Sequence, residues 1–171
     1  MWPFRKRTRQ QEVIDLFGKY IDKDALKRLE RGTPSDPAPP TKRRIAFVIV
    51  LVRDDTAEET QRHLGQVLTT LHEFGGRFET VLSSMAMFVF GGLPDAEYDT
   101  AYTQTVSDCA RAVLGELGPN ANVVYGQATC LEGGLWTQPY PLFCVTIPEF
   151  GKVISALVSL EFGSSLNMEL P

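Results

Sequence analysis

The stretch RIAFVIVLVR, Arg44 to Arg53, contains the longest apolar run in this 171-residue chain. Its central residues, Ile45 to Val52, are mostly β-branched, and an arginine bounds the run on each side. A run of this length falls far short of the roughly 20 residues that a membrane-spanning helix needs. β-Branched residues bounded by charge are typical of a buried strand. The run therefore predicts a central strand in the core of a soluble domain.

Helix and strand signals alternate after this strand. Thr56-Ala-Glu-Glu59 has the pattern of a capping box and opens a helix that we expect to reach Phe74, before Gly75-Gly76. The later predicted elements are strands over Phe78–Ser83 and Met85–Phe90, a helix over Tyr98–Leu117, strands over Val123–Leu131 and Pro141–Ile147, and a last helix over Lys152–Phe162. This order predicts an α+β fold, a ferredoxin-like antiparallel-containing sheet with helices on one face.

Composition divides the chain into three segments. Apolar residues at helical spacing between Val13 and Ile21 predict a helical N-terminal extension over residues 1–31, with a basic start. Residues 32–42 are rich in proline and predict an extended, semi-rigid linker. Residues 43–171 then form the α+β domain.

Charge is distributed unevenly along the chain. The formal net charge is −4, but residues 1–44 carry a net +6 and residues 45–171 a net −10. The body of the domain has five basic residues, namely Arg53, Arg62, Arg77, Arg111 and Lys152. A body with so few cations is poorly suited to hold nucleic acid or a polyphosphate without metal ions. We therefore expect no nucleic-acid partner.

The cysteines and histidines do not form a metal-binding pattern. Cys109, Cys130 and Cys144 share no metal-type spacing, and their odd number favours a reducing, cytoplasmic compartment with thiols that face the core. His63 and His72 lie nine residues apart on one predicted helix, so they cannot hold a metal from one face. We expect both histidines to be solvated surface residues. The sequence therefore predicts no metal and no cofactor.

Two stretches carry a resemblance to a known family. Residues 75–91, GGRFETVLSSMAMFVFG, resemble the glycine-rich hairpin of class III nucleotidyl cyclases, the adenylate and guanylate cyclase domain. Residues 151–161, GKVISALVSLE, are similar to a later helix of that family. The segment Phe17-Gly-Lys-Tyr-Ile21 shows a weaker resemblance to the short helix that often precedes such domains. The resemblance implies a cyclase-like domain that is truncated at the C-terminus.

The same resemblance implies that the catalytic positions have lost their chemistry. Family members hold two metal ions with two aspartates; one position falls on Ser84 and the other near Val50-Leu51-Val52. A displaced register could bring in Asp54 or Asp55, which otherwise look like surface acids. The remaining positions, for the base-reading lysine, its acidic partner, the ribose-orienting asparagine and the transition-state arginine, fall on Thr80, Pro148, Ser155 and Ser159. The resemblance therefore predicts that this chain is not an enzyme.

Two functions remain open for a domain without catalysis. The first is a protein-interaction or regulatory module, a pseudoenzyme that uses a cyclase-type dimer surface to pair with itself or with an active relative. The alternative is a small-molecule or nucleotide sensor that uses the vacated cleft without turnover. An unrelated ferredoxin-like domain would also lack catalysis, with Ser84, Ser155 and Ser159 as ordinary turn and helix residues.

The N-terminus supports two interpretations. Its aromatic and basic residues suit a weak contact with an anionic membrane surface, and they are Trp2, Phe4, Arg5, Lys6 and Arg7. The simpler interpretation is a disordered, solubilising tail, or a tail that docks on the acidic body.

Overall fold

The computed structural model describes residues 41–91, 98–137, 140–147 and 149–171. The predicted helical extension over residues 1–31 lies outside the described residues, as does the linker up to residue 40. The last two residues of the predicted linker, Thr41 and Lys42, belong to the first strand. Backbone pairing therefore begins slightly earlier than the apolar run indicates.

Six strands and three helices alternate in the described part of the chain. The strands are β1 (Thr41–Val52), β2 (Arg77–Leu82), β3 (Met85–Phe90), β4 (Ala121–Thr137), β5 (Tyr140–Thr146) and β6 (Ser165–Glu169). The helices are α1 (Ala57–Glu73), α2 (Tyr102–Leu117) and α3 (Phe150–Ser159), with a 3-10 turn, Gly118–Asn120, before β4. The predicted α+β fold is confirmed, and each element predicted after residue 43 is present, most with shifted ends and Met85–Phe90 with the predicted ones.

The strands form one mixed sheet around β1. Their order is β2-β3-β1-β4-β5, and β6 pairs with β4. β1 pairs antiparallel with β3 on one edge and with β4 on the other, so that Ala46 lies between Phe90 and Gln127. The pair of β4 and β6 is parallel. The predicted buried strand is therefore the central strand of the sheet.

Both faces of β1 are buried because its side chains alternate. Ala46, Val48, Val50 and Val52 pack into a core with apolar residues of α1 and α2. The intervening residues of β1 pack into a second core with Val153 and Leu157 of α3, and they are Ile45, Phe47, Ile49 and, partly buried, Leu51. A continuous apolar run is the pattern that a strand covered on both faces requires.

The third helix differs in position from the arrangement expected from the sequence. All helices were expected on one face, but α3 covers the face opposite α1 and α2. The physical reason lies in β1, since its odd-numbered residues would otherwise expose Ile45, Phe47 and Ile49 to water. The order of helices along a sequence does not specify which face each one covers.

Local capping and turn signals are confirmed. Thr56 caps α1, and its hydroxyl oxygen accepts a hydrogen bond from the Glu59 backbone N–H at 3.2 Å. The Glu59 carboxylate accepts in return from the Thr56 hydroxyl at 2.9 Å. The β2–β3 hairpin turns at Ser83, which has a left-handed φ of 55°. That conformation is uncommon outside glycine and marks a tight turn.

Cys109 and Cys130 are buried, as predicted for core thiols. Burial, with the charge of Asp108 adding to it, raises the pKa of Cys109 to about 12. The side chain of Cys144 lies outside the described part. No helix among the described residues is long and apolar enough to cross a membrane.

Strand β6 was not predicted from the sequence. Its pairing with β4 requires a glycine at position 126. A Cβ atom on Gly126 would lie 1.8 Å from the backbone oxygen of Met168. Gly126 pairs with Met168 in the parallel register, and Leu170 N–H donates to the Gln127 oxygen at 2.9 Å. Any side chain at position 126 would therefore displace the backbone of β6.

Replacing Gly126 with alanine is expected to destabilise the domain by forcing β6 away from β4. Overpacking of this kind costs about 1–3 kcal/mol, which corresponds to a lower unfolding midpoint by roughly 2–12 °C. The matched control is Gly115→Ala on α2, where an added Cβ meets nothing within 4 Å. Alanine should stabilise that exposed helical position by about 1 kcal/mol. Equal midpoints for the two variants in a calorimetric scan would contradict the close packing of β6.

Candidate functional site

A cleft of about 880 Å³ opens at the end of β1. It lies between the segment that leads into α1 and the turn of the β2–β3 hairpin. The lining residues are Leu51, Val52, Arg53, Asp54, Asp55, Thr56, Ala57, Thr60, Gln61, Leu64, Ser83, Ser84 and Phe162. Its volume is within the range of small-molecule pockets.

The sheet register brings together the two positions predicted for metal ligands. Leu51 pairs with Met85, and the Val52 backbone N–H donates to the Ser84 oxygen at 2.8 Å. The end of β1 and Ser84 therefore adjoin at the cleft, as the resemblance implied. Val52 is buried in the core under α1 and α2, while Leu51 is half-buried toward the α3 side.

These residues do not fit a two-metal site. Leu51 and Val52 offer no side-chain oxygen, and the Ser84 hydroxyl is a neutral, weak ligand for a hard divalent cation. Two ions close together require anionic ligands, because the ligands must offset their mutual repulsion. Within residues 41–91, 98–137, 140–147 and 149–171, no group of three His, Cys, Asp or Glu side chains could hold a metal ion.

The Asp54 carboxylate lines the cleft but is bound to a histidine. His63 Nδ1 lies 2.9 Å from each carboxylate oxygen of Asp54. The side chains of Asp54 and His63 are 3% and 11% exposed, respectively. The expectation of a surface acid and a solvated histidine is therefore wrong at these two positions. His72, the other histidine, is exposed as predicted.

Thr80 lies on β2, the outer strand of the sheet, and is exposed. It pairs with Met87, and two residues later Leu82 pairs with Met85. Since Met85 pairs in turn with Leu51, the side chains of Leu82, Met85 and Leu51 form one row across three strands, which we call the apolar row. The Leu82 side chain is 67% exposed. An uncharged threonine therefore stands at the predicted base-reading position, with the Arg77–Glu79 ion pair on one side of it along β2 and the apolar row on the other.

Ser155 and Ser159 lie one turn apart on α3, and both are exposed. The Ser155 hydroxyl donates to the Gly151 backbone oxygen at 2.9 Å, within its own helix. Val158, between them, is 58% exposed. This helix surface therefore presents small hydroxyls and an apolar side chain. Pro148, the remaining predicted position, lies outside the described residues.

Arg53 connects the cleft to α3. Its Nη2 donates to the Val158 backbone oxygen at 2.8 Å, and its guanidinium lies 4.7 Å from the centre of the Phe162 ring. Phe162 is 66% exposed and forms part of the cleft wall. The sequence shows an arginine directly after the strand, but its partners lie over 100 residues further on, and no local signal marks them.

Asn122 on β4 also binds the C-terminal end of α3. It is fully buried on β4, and its Nδ2 donates to the backbone oxygens of Leu157 and Leu160 at 3.4 and 3.1 Å. These acceptors belong to the last turn of the helix, where carbonyls lack partners within the helix. Arg53 and Asn122 together set where α3 ends relative to the cleft.

Solved cyclase structures match this fold at low sequence identity. The adenylyl cyclase CyaB from P. aeruginosa is 11% identical, with a TM-score of 0.64 over 76% of this chain and 79% of that one. A bacterial light-regulated adenylyl cyclase is 8% identical, with a TM-score of 0.67 over 86% of this chain and 49% of that one. A dimeric guanylyl cyclase domain of the RhoGC fusion protein from the aquatic fungus Blastocladiella emersonii is 9% identical, with a TM-score of 0.58 over 77% of this chain and 82% of that one. No family model and no curated protein matches the sequence.

Replacing Arg53 with methionine is expected to loosen the end of α3. The change removes the bond to the Val158 oxygen and the contact with Phe162, which together contribute about 1 kcal/mol at a partly exposed site. The unfolding midpoint should fall by roughly 2–4 °C, and amide exchange should rise over residues 156–162. Arg111→Met, which removes an exposed pair with Asp108, is the control. Unchanged exchange in the Arg53 variant would contradict this role.

Proposed function

Because the chain has the fold of class III nucleotidyl cyclase domains, we propose that it is a catalytically inactive, cytoplasmic member of that structural class. It acts as a protein-interaction or regulatory module through the surface around the cleft. The observation that carries this proposal is the neutral, apolar character of that surface at the positions where catalysis would require charge.

Electrostatic loss is the first support for inactivity. Thr80, Ser84, Ser155 and Ser159 carry no charge, and Leu51 and Val52 stand where a metal-binding carboxylate is expected. Removing one preorganised contact to the developing charge typically lowers a rate by about 10²–10³. Without metal ligands and without the arginine, little stabilisation of a pentavalent phosphorus remains. The fold is retained because the core is formed along the length of β1, which Leu51 and Val52 extend, and does not require charged side chains at these positions.

Exposed apolar side chains are the support for an interaction surface. Leu82 is 67% exposed, Val158 58% and Phe162 66%, and each lies beside the cleft or beside a predicted catalytic position. Large apolar side chains grouped near one another on a soluble protein commonly mark a contact with another macromolecule. The guanylyl cyclase domain of the RhoGC fusion protein is described as a non-canonical dimer in one solved structure and as a monomer in another, so pairing with a second copy or a related chain rests on the exposed apolar side chains of this chain.

The cleft itself supports the alternative function of a small-molecule sensor. Its 880 Å³ would admit a nucleotide-sized ligand, and Arg53, Thr56 and Ser84 offer polar groups at its wall. Asp54 and Asp55 lie in the same wall and disfavour a triphosphate without metal ions. A neutral or singly charged ligand is therefore the better candidate for this alternative.

The N-terminal segments remain predictions from the sequence. Residues 1–31 are proposed as a helical extension and residues 32–42 as a linker to the domain at 43–171. The basic, aromatic start, with Trp2, Phe4, Arg5, Lys6 and Arg7, is proposed to make at most a weak contact with an anionic membrane surface.

The purified protein is expected to form no cyclic AMP or cyclic GMP from ATP or GTP with Mg²⁺ or Mn²⁺. The physical reason is the combined loss of metal ligands and of the transition-state cation, each worth about 10²–10³ in rate. Product is measured by mass spectrometry, beside an active class III cyclase as a positive control. Saturable product formation that follows the protein through purification would contradict the proposal.

Replacing Leu82 with lysine is expected to weaken self-association. A charge in the apolar row would have to be desolvated on contact with a second copy, so we expect at least about a tenfold higher dimer dissociation constant. Leu131→Lys is the control, since Leu131 is 42% exposed and pairs with Lys42 at the far end of β1. Sedimentation velocity over a range of concentrations measures the change. If the two variants associate equally, the dimer contact does not include the apolar row. If the wild-type protein is monomeric at every concentration, self-association is excluded and the remaining partner is a related chain.

Thermal unfolding with nucleotides and cyclic nucleotides tests the sensor alternative. A ligand at 100 times its dissociation constant stabilises the folded state by about 2.7 kcal/mol, so the midpoint should rise by roughly 5–11 °C. Ser84→Leu, which fills the cleft wall, should remove that rise. If no ligand shifts the midpoint, the sensor alternative is excluded for this set of ligands.

A further inference from the structure

The contact between Asp54 and His63 places a carboxylate in a nearly dry position beside the cleft. Both carboxylate oxygens lie 2.9 Å from His63 Nδ1, and the Asp54 side chain is 3% exposed. A buried carboxylate is strongly destabilising unless a cation or a hydrogen-bond donor compensates for its lost hydration. At this position His63 provides the donor.

Arg62 lies next to the other ring nitrogen of His63. Its Nη2 lies 3.2 Å from His63 Nε2. A guanidinium can only donate, so this contact is a hydrogen bond only when Nε2 accepts. The ring proton then lies on Nδ1, directed at Asp54. The positive charge of exposed Arg62 is thus linked through the imidazole to the buried carboxylate.

The chain of contacts from Arg62 through His63 to Asp54 lies just beyond Val52, next to the position that the resemblance assigns to a metal-binding carboxylate. Asp54 lies two residues after Val52, the end of β1, and lines the cleft together with Ser84. The other acid in the wall, Asp55, is exposed. The residues around the cleft do not fit a metal ion for two reasons. The expected ligand positions carry no carboxylate, and the buried Asp54 carboxylate is already bound to His63.

We propose that His63 is a positioning residue that binds the buried Asp54 carboxylate through a hydrogen bond, so that the carboxylate needs no divalent cation at this cleft. The imidazole donates a hydrogen bond to the Asp54 carboxylate and thereby holds the segment between β1 and α1 in place. A carboxylate bound in this way does not bind a metal ion in the cleft. The inference rests on the proposed loss of the metal site, but its test uses stability and metal binding, not turnover or association. Its failure is therefore distinguishable from failure of the proposed function.

The test compares two substitutions at position 63 in the full chain. His63→Leu keeps the bulk but removes the donor, and His63→Asn keeps an N–H donor near the position of Nδ1. We expect His63→Leu to lower the unfolding midpoint by about 3–10 °C and His63→Asn to recover most of that loss. Millimolar Mn²⁺ should raise the midpoint of His63→Leu, because the freed carboxylate can now bind it, and should leave the wild-type midpoint unchanged.

The double variant His63→Leu with Asp54→Asn is the control for the site of metal binding. It should show no response to Mn²⁺, and electron paramagnetic resonance of free Mn²⁺ should detect binding to His63→Leu but not to the double variant. If His63→Leu is destabilised but indifferent to Mn²⁺, or if the double variant responds equally, His63 has an ordinary packing role and the proposal is overturned. A wild-type protein whose midpoint rises with Mn²⁺ would also overturn it.

Discussion

Burial of β1 on both faces and pairing on both edges is the constraint on which the rest of the domain depends. Even-numbered residues from Ala46 to Val52 meet α1 and α2, and odd-numbered residues from Ile45 to Ile49 meet α3. The strand can satisfy its backbone only by pairing with β3 and β4 at once. This arrangement fixes where β1 ends, and therefore where the cleft and the β2–β3 turn meet.

The same constraint explains how the fold can form without charged side chains at the predicted catalytic positions. The core is formed by residues along the length of β1, whereas the predicted catalytic positions lie at its end, at the hairpin turn and on the exposed side of α3. Exchange of those residues for leucine, valine or serine leaves the core intact. Continuing the apolar run to Val52 even extends the core by one residue, and the buried carboxylate two residues further on is satisfied by a side chain of α1.

The sequence predicts an element of the fold correctly where the signal lies in neighbouring residues. The strand at Ile45–Val52, the capping box at Thr56 and the hairpin turn at Ser83 were each predicted from adjacent residues, and the resemblance to cyclase domains is confirmed at the level of the fold. Features that depend on a distant partner were not predicted. β6 has the sequence SLNME, whose alternation of polar and apolar residues covers only five positions, and its pairing partner, β4, lies far earlier in the chain.

The histidine at position 63 illustrates the same limit within the candidate site. We expected a solvated residue, but His63 lies one turn before Val67 on the buried face of α1. Helical periodicity agrees with that burial, whereas it does not identify the partner Asp54, nine residues earlier. The positions of Thr80, Ser84, Ser155 and Ser159 agree with an exposed or cleft-lining location. Their lack of charge is evident from the sequence, whereas loss of activity is a property of the whole site and stays a proposal until turnover is measured.

The pairing of β1 with β4 also has a consequence for biosynthesis. Ala46 pairs with Gln127, about 80 residues later in the chain, so the central strand leaves the ribosome well before its second partner exists. At roughly 5–20 residues per second, that interval lasts roughly 4–16 s. Throughout it the most apolar segment of the protein has an unpaired edge, and the face that α3 covers stays open longer still. The nascent chain is therefore a natural client for chaperones, and slower translation between the two strands would lengthen its exposure to aggregation.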